Sequence, residues 1–189
     1  MIEVKQLEIP VVKVLIPKRF TDKRGYFCET YNKQEFSNIG YDLEFVQDNH
    51  SYSRYKATIR GLHFQIPPLA QAKLVRVIRG SIFDVAVDLR VRSGTFGKYV
   101  SQTLSAENGK QILVPEGFAH GFMTLEDNTE VLYKTTEFYN PSLDAGIFWA
   151  DTDISIVWPL PKKMITISDK DRDLPTLENF NNPFLDQNL

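Results

Sequence analysis

Turn residues punctuate this chain at short intervals, and that spacing limits its fold more than any other feature. Gly25, Gly40, Gly61, the Pro67–Pro68 pair, Gly80, Gly94, Gly109, Gly117 and Gly146 separate runs rich in Val, Ile, Phe, Tyr and Thr. Runs of about 6–10 residues between such turns are the pattern of an all-β sandwich or barrel. In the clearest run, 81–91, Phe83, Val85, Val87 and Leu89 share one face while Asp84, Ala86 and Asp88 share the other. Residues 129–139 alternate too, with Val131, Tyr133 and Thr135 set against Leu132, Lys134 and Thr136. Further strands are expected at 11–16, 26–31, 44–50, 58–65, 74–78, 98–104, 111–114 and 121–125. Helix signals are few. Asn32 with Glu35 makes a cap ahead of Phe36 and Ile39, Gly40 stops that helix, and Ser168 with Asp171 caps a second short one. No repeat, low-complexity tract or linker interrupts the pattern, so residues 1–189 read as one domain with a loosely held tail from Asn181.

Composition narrows the function classes. The 22 basic and 24 acidic side chains leave a net charge of −2, without the basic excess of a nucleic-acid binder. No apolar run approaches the ~20 residues that span a bilayer, and the start, MIEVKQLEIP, lacks a signal peptide's apolar core. No membrane or nucleic-acid partner is expected. Cys28 is the single cysteine, which excludes an internal disulfide and a thiolate metal cluster and suits a reducing cytoplasm. Aromatics make up 12% of the chain, a density that serves a β core or the stacking of sugars and bases.

Ionisable groups set among apolar ones are the candidates for chemistry. There are three histidines. His63, inside the expected strand 58–65, is either a proton-transfer group or a core histidine bonded to backbone. His120, flanked by glycines and aromatics, marks either a pocket mouth or a turn that needs its glycines. His50, after Gln47-Asp48-Asn49, reads as a solvated loop residue. Lys73 shares a face with Val75 and Val77, so it is either a cation aimed into the barrel at developing negative charge or a rim lysine reaching water. Tyr133 is a buried phenol in need of a hydrogen-bond partner, in a core or in a site. Asp171 is accounted for by its cap with Ser168. Strict alternation puts Arg60 and His63 on opposite faces; a β-bulge at Gly61 would bring both to one side.

The segment Pro115-x-Gly117-x-x-His120 resembles a motif of the cupin jelly rolls. Metal-binding cupins pair it with an earlier His-x-His, and here that segment reads His63-Phe64-Gln65. One imidazole per strand is a poor divalent site, so no metal is expected.

The ordered set of motifs resembles one family closely. Phe45–Ser51, Arg60–Gln65, Pro67-Pro68 through Lys73-Leu74-Val75, Phe83–Asp88, Ser93-x-Thr95-Phe96-Gly97, Leu104–Asn108, Pro115–Phe122 and Ser168-x-Lys170-Asp171 are similar, in order and spacing, to the dTDP-4-dehydrorhamnose 3,5-epimerases. The match runs from about Phe20 to Pro175. It implies a cupin-type jelly-roll β-sandwich with a few short peripheral helices, a homodimer, no metal or redox cofactor, and a dTDP-4-keto-6-deoxy sugar as substrate. It also implies roles: His63 as base, Asp171 as the carboxylate orienting it, Tyr133 as acid on the opposite face, and Lys73 at the enolate oxygen. Arg24, Glu29, Gln47, Asn49, Arg60, His120 and Lys170 match substrate-binding positions, and Asp48 lies within the matched stretch. Tyr139 falls where the family stacks a ring on thymine, and Phe20 helps enclose the nucleotide. Asp144 departs from the family's Glu, and a carboxylate one methylene shorter is expected to reach its partner only through water. Two other readings stay open: inversion at C3 or C5 alone, and a catalytically silent nucleotide-sugar binder.

Overall fold

The β-branched and aromatic runs form strands, and their alternation stacks those strands into two facing sheets. A computed structural model describes residues 2–185. In one sheet the order is β1 (Ile2–Gln6), β2 (Lys13–Pro17), β10 (Gln111–Val114), β7 (Lys73–Arg79), β12 (Thr129–Thr135) and β5 (Gln47–Ser53). The other runs β13 (Asp144–Gly146), β6 (Ile59–Gln65), β11 (Phe118–Thr124), β8 (Ser81–Asp88) and β9 (Tyr99–Ser105). Neighbours are antiparallel throughout. Among the described residues, a hairpin of β3 (Arg19–Asp22) and β4 (Gly25–Cys28) pairs only with itself. The result is the expected all-β jelly-roll sandwich, open rather than closed into a barrel.

Val75, Val77, Ile82, Ala86, Ile112 and Val131 meet between the sheets. The outer face of the five-stranded sheet is covered as well, because Val85, Val87 and Leu89 pack with Ile147, Ile154 and Phe184. The alternation in 81–91 therefore separates two apolar layers, and Asp84 and Asp88 are themselves fully buried. A third cluster joins Leu15, Leu74 and Leu113 to Phe36 of α1 (Lys33–Asn38), which Asn32 caps as expected by accepting from the Gln34 and Glu35 amides. Each fully buried Leu, Ile or Phe contributes about 1.5–3 kcal/mol.

Two local features position the site. In β6 against β11, His63 pairs with His120 while Arg60 pairs with Phe122, so three steps on one strand face two on the other. Gly61 sits in that shift with φ 128°, and a Cβ there would lie 2.6 Å from Gly121 Cα. The bulge expected at Gly61 is present, and it turns Arg60 and His63 to the same side. The second feature is α2 (Asp169–Arg172), capped by the Ser168 side chain, which brings Asp171 against β6.

Some expectations are corrected. Strand 44–50 shifts to Gln47–Ser53, and 129–139 ends at Thr135. β1, β3 and β13 had no counterpart among the expected strands. The tail expected from Asn181 is held as far as Phe184: Asn182 donates to the Leu89 carbonyl, and Phe184 is fully buried beside Phe64. The remainder of that tail, 186–189, lies outside the described residues.

Candidate active site

A cavity of about 400 Å³ opens between the sheets where β5, β12 and the start of β7 face β6 and β11. That volume is in the range of small-molecule sites. It is lined by Gln47, Asn49, Arg60, His63, Lys73, His120, Tyr133, Tyr139, Asp144, Lys170 and Asp171, eleven of the residues singled out from sequence.

His63 projects from the five-stranded sheet, and its Nε2 lies 2.7 Å from Asp171 Oδ1. Asp171 is buried, and burial alone would raise its carboxyl. Hydrogen bonds from His63, the Gly61 N–H and Ser168 outweigh that and hold it below the ordinary value. An ionised acceptor at Nε2 fixes the tautomer with Nε2–H donating, which leaves the Nδ1 lone pair for a substrate proton. Ser168 Oγ accepts from the Asp171 N–H as the cap requires, and the carboxylate serves His63.

Tyr133 projects into the same cavity from the six-stranded sheet. Burial raises its phenol above the usual value, so it is a proton donor at neutral pH. Lys73 enters beside it. Its Nζ is buried and donates to the His63 carbonyl at 3.0 Å, and burial pulls its pKa down to about 8 against the charges of Asp144 and Asp84. His120 sits over Asp84, with Nε2 at 3.0 and 2.9 Å from the two carboxylate oxygens. Asp84 is raised by its own burial and drawn back by His120 and Lys73. Asp84 escaped notice in the sequence because the alternation of 81–91 does not reveal which layer it faces.

At the mouth stand Tyr139, Asp144, Arg60 and Lys170. The Asp144 carboxylate accepts directly from Lys170 Nζ at 2.5 Å and from Tyr139 Oη at 3.2 Å. This shorter side chain reaches both protein neighbours without an intervening water. Lys170 is held above its ordinary value by that bond.

Four expected residues do not line this cavity. Asp48 lies between Gln47 and Asn49 on β5, so alternation sends it to the outer face, where it pairs with Lys134 Nζ at 2.7 Å. Phe20, Arg24 and Glu29 belong to the β3–β4 hairpin and the residue just after it, all exposed. Conversely, Ser51, Gln65 and Gln71 line the cavity though the sequence assigned them no role in a site. Among the described residues no three His, Cys, Asp or Glu side chains are grouped to hold a metal ion.

An imidazole on one sheet and a phenol on the other, with a buried ammonium in the same cavity, suit the chemistry of a cupin-type epimerase. Such an enzyme lifts a proton beside a carbonyl from one side of its substrate and returns one to the opposite side. The comparisons agree with this class. The family model described as dTDP-4-dehydrorhamnose 3,5-epimerase matches residues 6–179, and the chain belongs to that family. The dTDP-4-dehydrorhamnose 3,5-epimerase of Shigella flexneri is 52% identical over 165 residues, 87% of this chain and 90% of that one. A crystal structure of the Bacillus anthracis enzyme, with TDP and PPi bound, is 48% identical with a TM-score of 0.90, covering 93% of this chain and 99% of that one. A Legionella pneumophila epimerase solved in complex with dTDP-4-keto-L-rhamnose is 38% identical with a TM-score of 0.93, covering 98% and 97%.

Proposed function

We infer that the protein inverts C3 and C5 of dTDP-4-dehydro-6-deoxy-D-glucose to give dTDP-4-dehydro-L-rhamnose, a step of dTDP-L-rhamnose biosynthesis. The ketone at C4 acidifies the C–H bonds at both neighbours. Removing either proton gives an enolate whose charge rests mostly on the former ketone oxygen. His63 takes the proton through Nδ1, and Asp171 orients the imidazole and balances the imidazolium. Lys73 stands where a cation stabilises the enolate oxygen, and Tyr133 returns a proton from the opposite face. Each inversion removes one proton and adds one, so the chemistry balances without a redox cofactor. The observation that carries this reading is the His63–Asp171 pair on one sheet facing Tyr133 on the other.

The remaining assignments follow from the same reading. Arg60 and Lys170 hold diphosphate oxygens, Gln47, Asn49 and His120 hold the substrate, and Tyr139 stacks on thymine. The enzyme works as a homodimer in the cytoplasm, where its free Cys28 needs no partner. In the dimer the β3–β4 hairpin reaches the neighbouring copy's cavity with Phe20, Arg24 and Glu29. Its exposed aromatics, Phe20, Tyr26 and Phe27 at 53%, 58% and 69%, support that placement. A relative's complex with dTDP-4-keto-L-rhamnose supports the same product here.

Incubation with dTDP-4-dehydro-6-deoxy-D-glucose in deuterated water tests the reading. Deuterium is expected at both C3 and C5. Label at one carbon means a mono-epimerase, and no label with nucleotide-sugar binding intact means a silent binder.

A further inference from the structure

Gln65 occupies the position where a metal-binding cupin carries the second imidazole of its His-x-His pair, and the proton-transfer chemistry does not use it. Its side chain is 2% exposed, yet every hydrogen-bonding group of its amide is engaged. Nε2 donates to the Leu69 carbonyl at 2.6 Å and to the Phe138 carbonyl at 3.1 Å, and Oε1 accepts from the Asn140 N–H at 2.7 Å. Two other glutamines act on the same stretch. Gln47 Oε1 accepts from the Tyr139 N–H at 2.9 Å, and Gln71 Nε2 donates to the Glu137 carbonyl at 2.8 Å. The stretch between β12 and β13 that carries Tyr139 is therefore tied down by side-chain amides on either side of that residue, not by a strand ladder.

We propose that Gln65 is a positioning residue for nucleotide recognition: its buried amide fixes the 138–140 backbone so that the Tyr139 ring is already placed to receive the base. The proposal rests on the reading of Tyr139 as the thymine-stacking residue. The physical logic is preorganisation. Tyr139 is 55% exposed, and its Oη contact with Asp144 does not fix the backbone that aims the ring. Were that backbone loose, its ordering would be charged against binding. An amide is suited to this task and an imidazole is not, because two carbonyls and one N–H must be satisfied at once from a single side chain.

The test compares Gln65→Met, similar in length but without hydrogen-bonding groups, with Tyr139→Ala and with the double variant. Calorimetry with dTDP gives Kd, and kinetics with dTDP-4-dehydro-6-deoxy-D-glucose gives kcat and KM. Gln65→Met is expected to raise Kd and KM about tenfold, the scale of one or two lost hydrogen bonds, while kcat changes by less than about threefold. Because Gln65 acts through Tyr139, the double variant should bind dTDP no more weakly than Tyr139→Ala alone. If Gln65→Met fails to fold, Gln65→Asn draws the amide back by one methylene and is expected to give the same split in milder form. Unchanged dTDP affinity, a loss confined to kcat, or independent multiplying effects in the double variant overturns the proposal while leaving the stacking role of Tyr139 intact. If Tyr139→Ala itself leaves dTDP affinity unchanged, the stacking reading falls and this proposal with it.

Discussion

Lys73 shows how a residue's usefulness and its cost arise from one cause. Burial lowers its pKa from 10.5 to about 8, so at neutral pH the folded protein keeps an ammonium in a place that resists charge. The unfolded chain holds that proton up to about pH 10.5, and the folded chain releases it near pH 8. Between those values the unfolded state binds more protons, and this site's contribution makes stability rise with pH. Below about pH 8 the slope vanishes and the full penalty remains, about 3 kcal/mol from a shift of this size. Lys73→Met is therefore expected to be more stable than the parent at neutral pH and to lack the rise between pH 8 and 10.5, as read from urea midpoints across that window. It should also lose most turnover, because the enolate oxygen loses its cation. In the parent, kcat/KM should fall above about pH 8 for the same reason. His63 separates chemistry from binding: His63→Asn should lower kcat by ~10²–10⁴-fold with dTDP affinity retained, checked by turnover and calorimetry. A loss of binding in step with turnover would instead make His63 a structural residue.

At the scale of elements, the bulge in β6 decides whether Arg60 and His63 share a wall. Gly61 holds φ 128°, its missing Cβ leaves room for Gly121, and its N–H donates to Asp171 Oδ2 at 3.2 Å. Gly61→Ala meets backbone at 2.6 Å and a left-handed conformation together, so it should cost more than the ~1–3 kcal/mol of conformational strain alone. It should also depress kcat by displacing His63 from Asp171. Gly94→Ala, with open space around it, serves as the control and should stay within about 0.5 kcal/mol of the parent. Much of this was legible in the chain, because alternation in 81–91 and 129–139 and the run 111–114 report strands that bury a face. β1 was not, since Glu3, Lys5 and Gln6 are exposed on an edge strand that takes its structure from pairing with β2. β13 was not either, as a three-residue strand defined by its pairing with β6. In the site, Lys73 and Tyr133 stood out as polar groups on apolar faces. The bond between His63 and Asp171 spans 108 positions, and Asp171 already had a sufficient local explanation as a cap residue. Gln47 was named only as a substrate contact, and the hold of Gln47, Gln65 and Gln71 on the Tyr139 stretch was invisible because their partners there are backbone groups, which carry no residue signature.

For the whole molecule, the β3–β4 hairpin poses the remaining physical problem. Its strands form a two-stranded sheet with each other, and Arg19 anchors one end through the Ala106 and Glu107 carbonyls. A two-stranded ribbon is marginal by itself, and this one leaves three large aromatics exposed. Among the described residues, Arg24 bonds Asp22 in its own turn, with its side chain 84% exposed. In the proposed homodimer, docking into a second copy would cover the aromatics and give Arg24 diphosphate oxygens to bind, and two-fold symmetry would make the exchange reciprocal, so that each cavity would be completed by its neighbour. That arrangement makes a prediction a monomer cannot meet. Arg24→Ala leaves its own His63 intact but supplies a defective hairpin, whereas His63→Asn supplies a sound hairpin but has no base. Each variant alone should turn over slowly when the nucleotide sugar is limiting. Mixed under conditions that exchange subunits, they form heterodimers in which one cavity combines a native His63 with a native Arg24, and activity should recover to as much as roughly a quarter of the parent's. If the mixture shows no more than the average of its two components while light scattering confirms a dimer, the hairpin serves only its own chain, and Phe20, Arg24 and Glu29 have no part in the neighbouring copy's site.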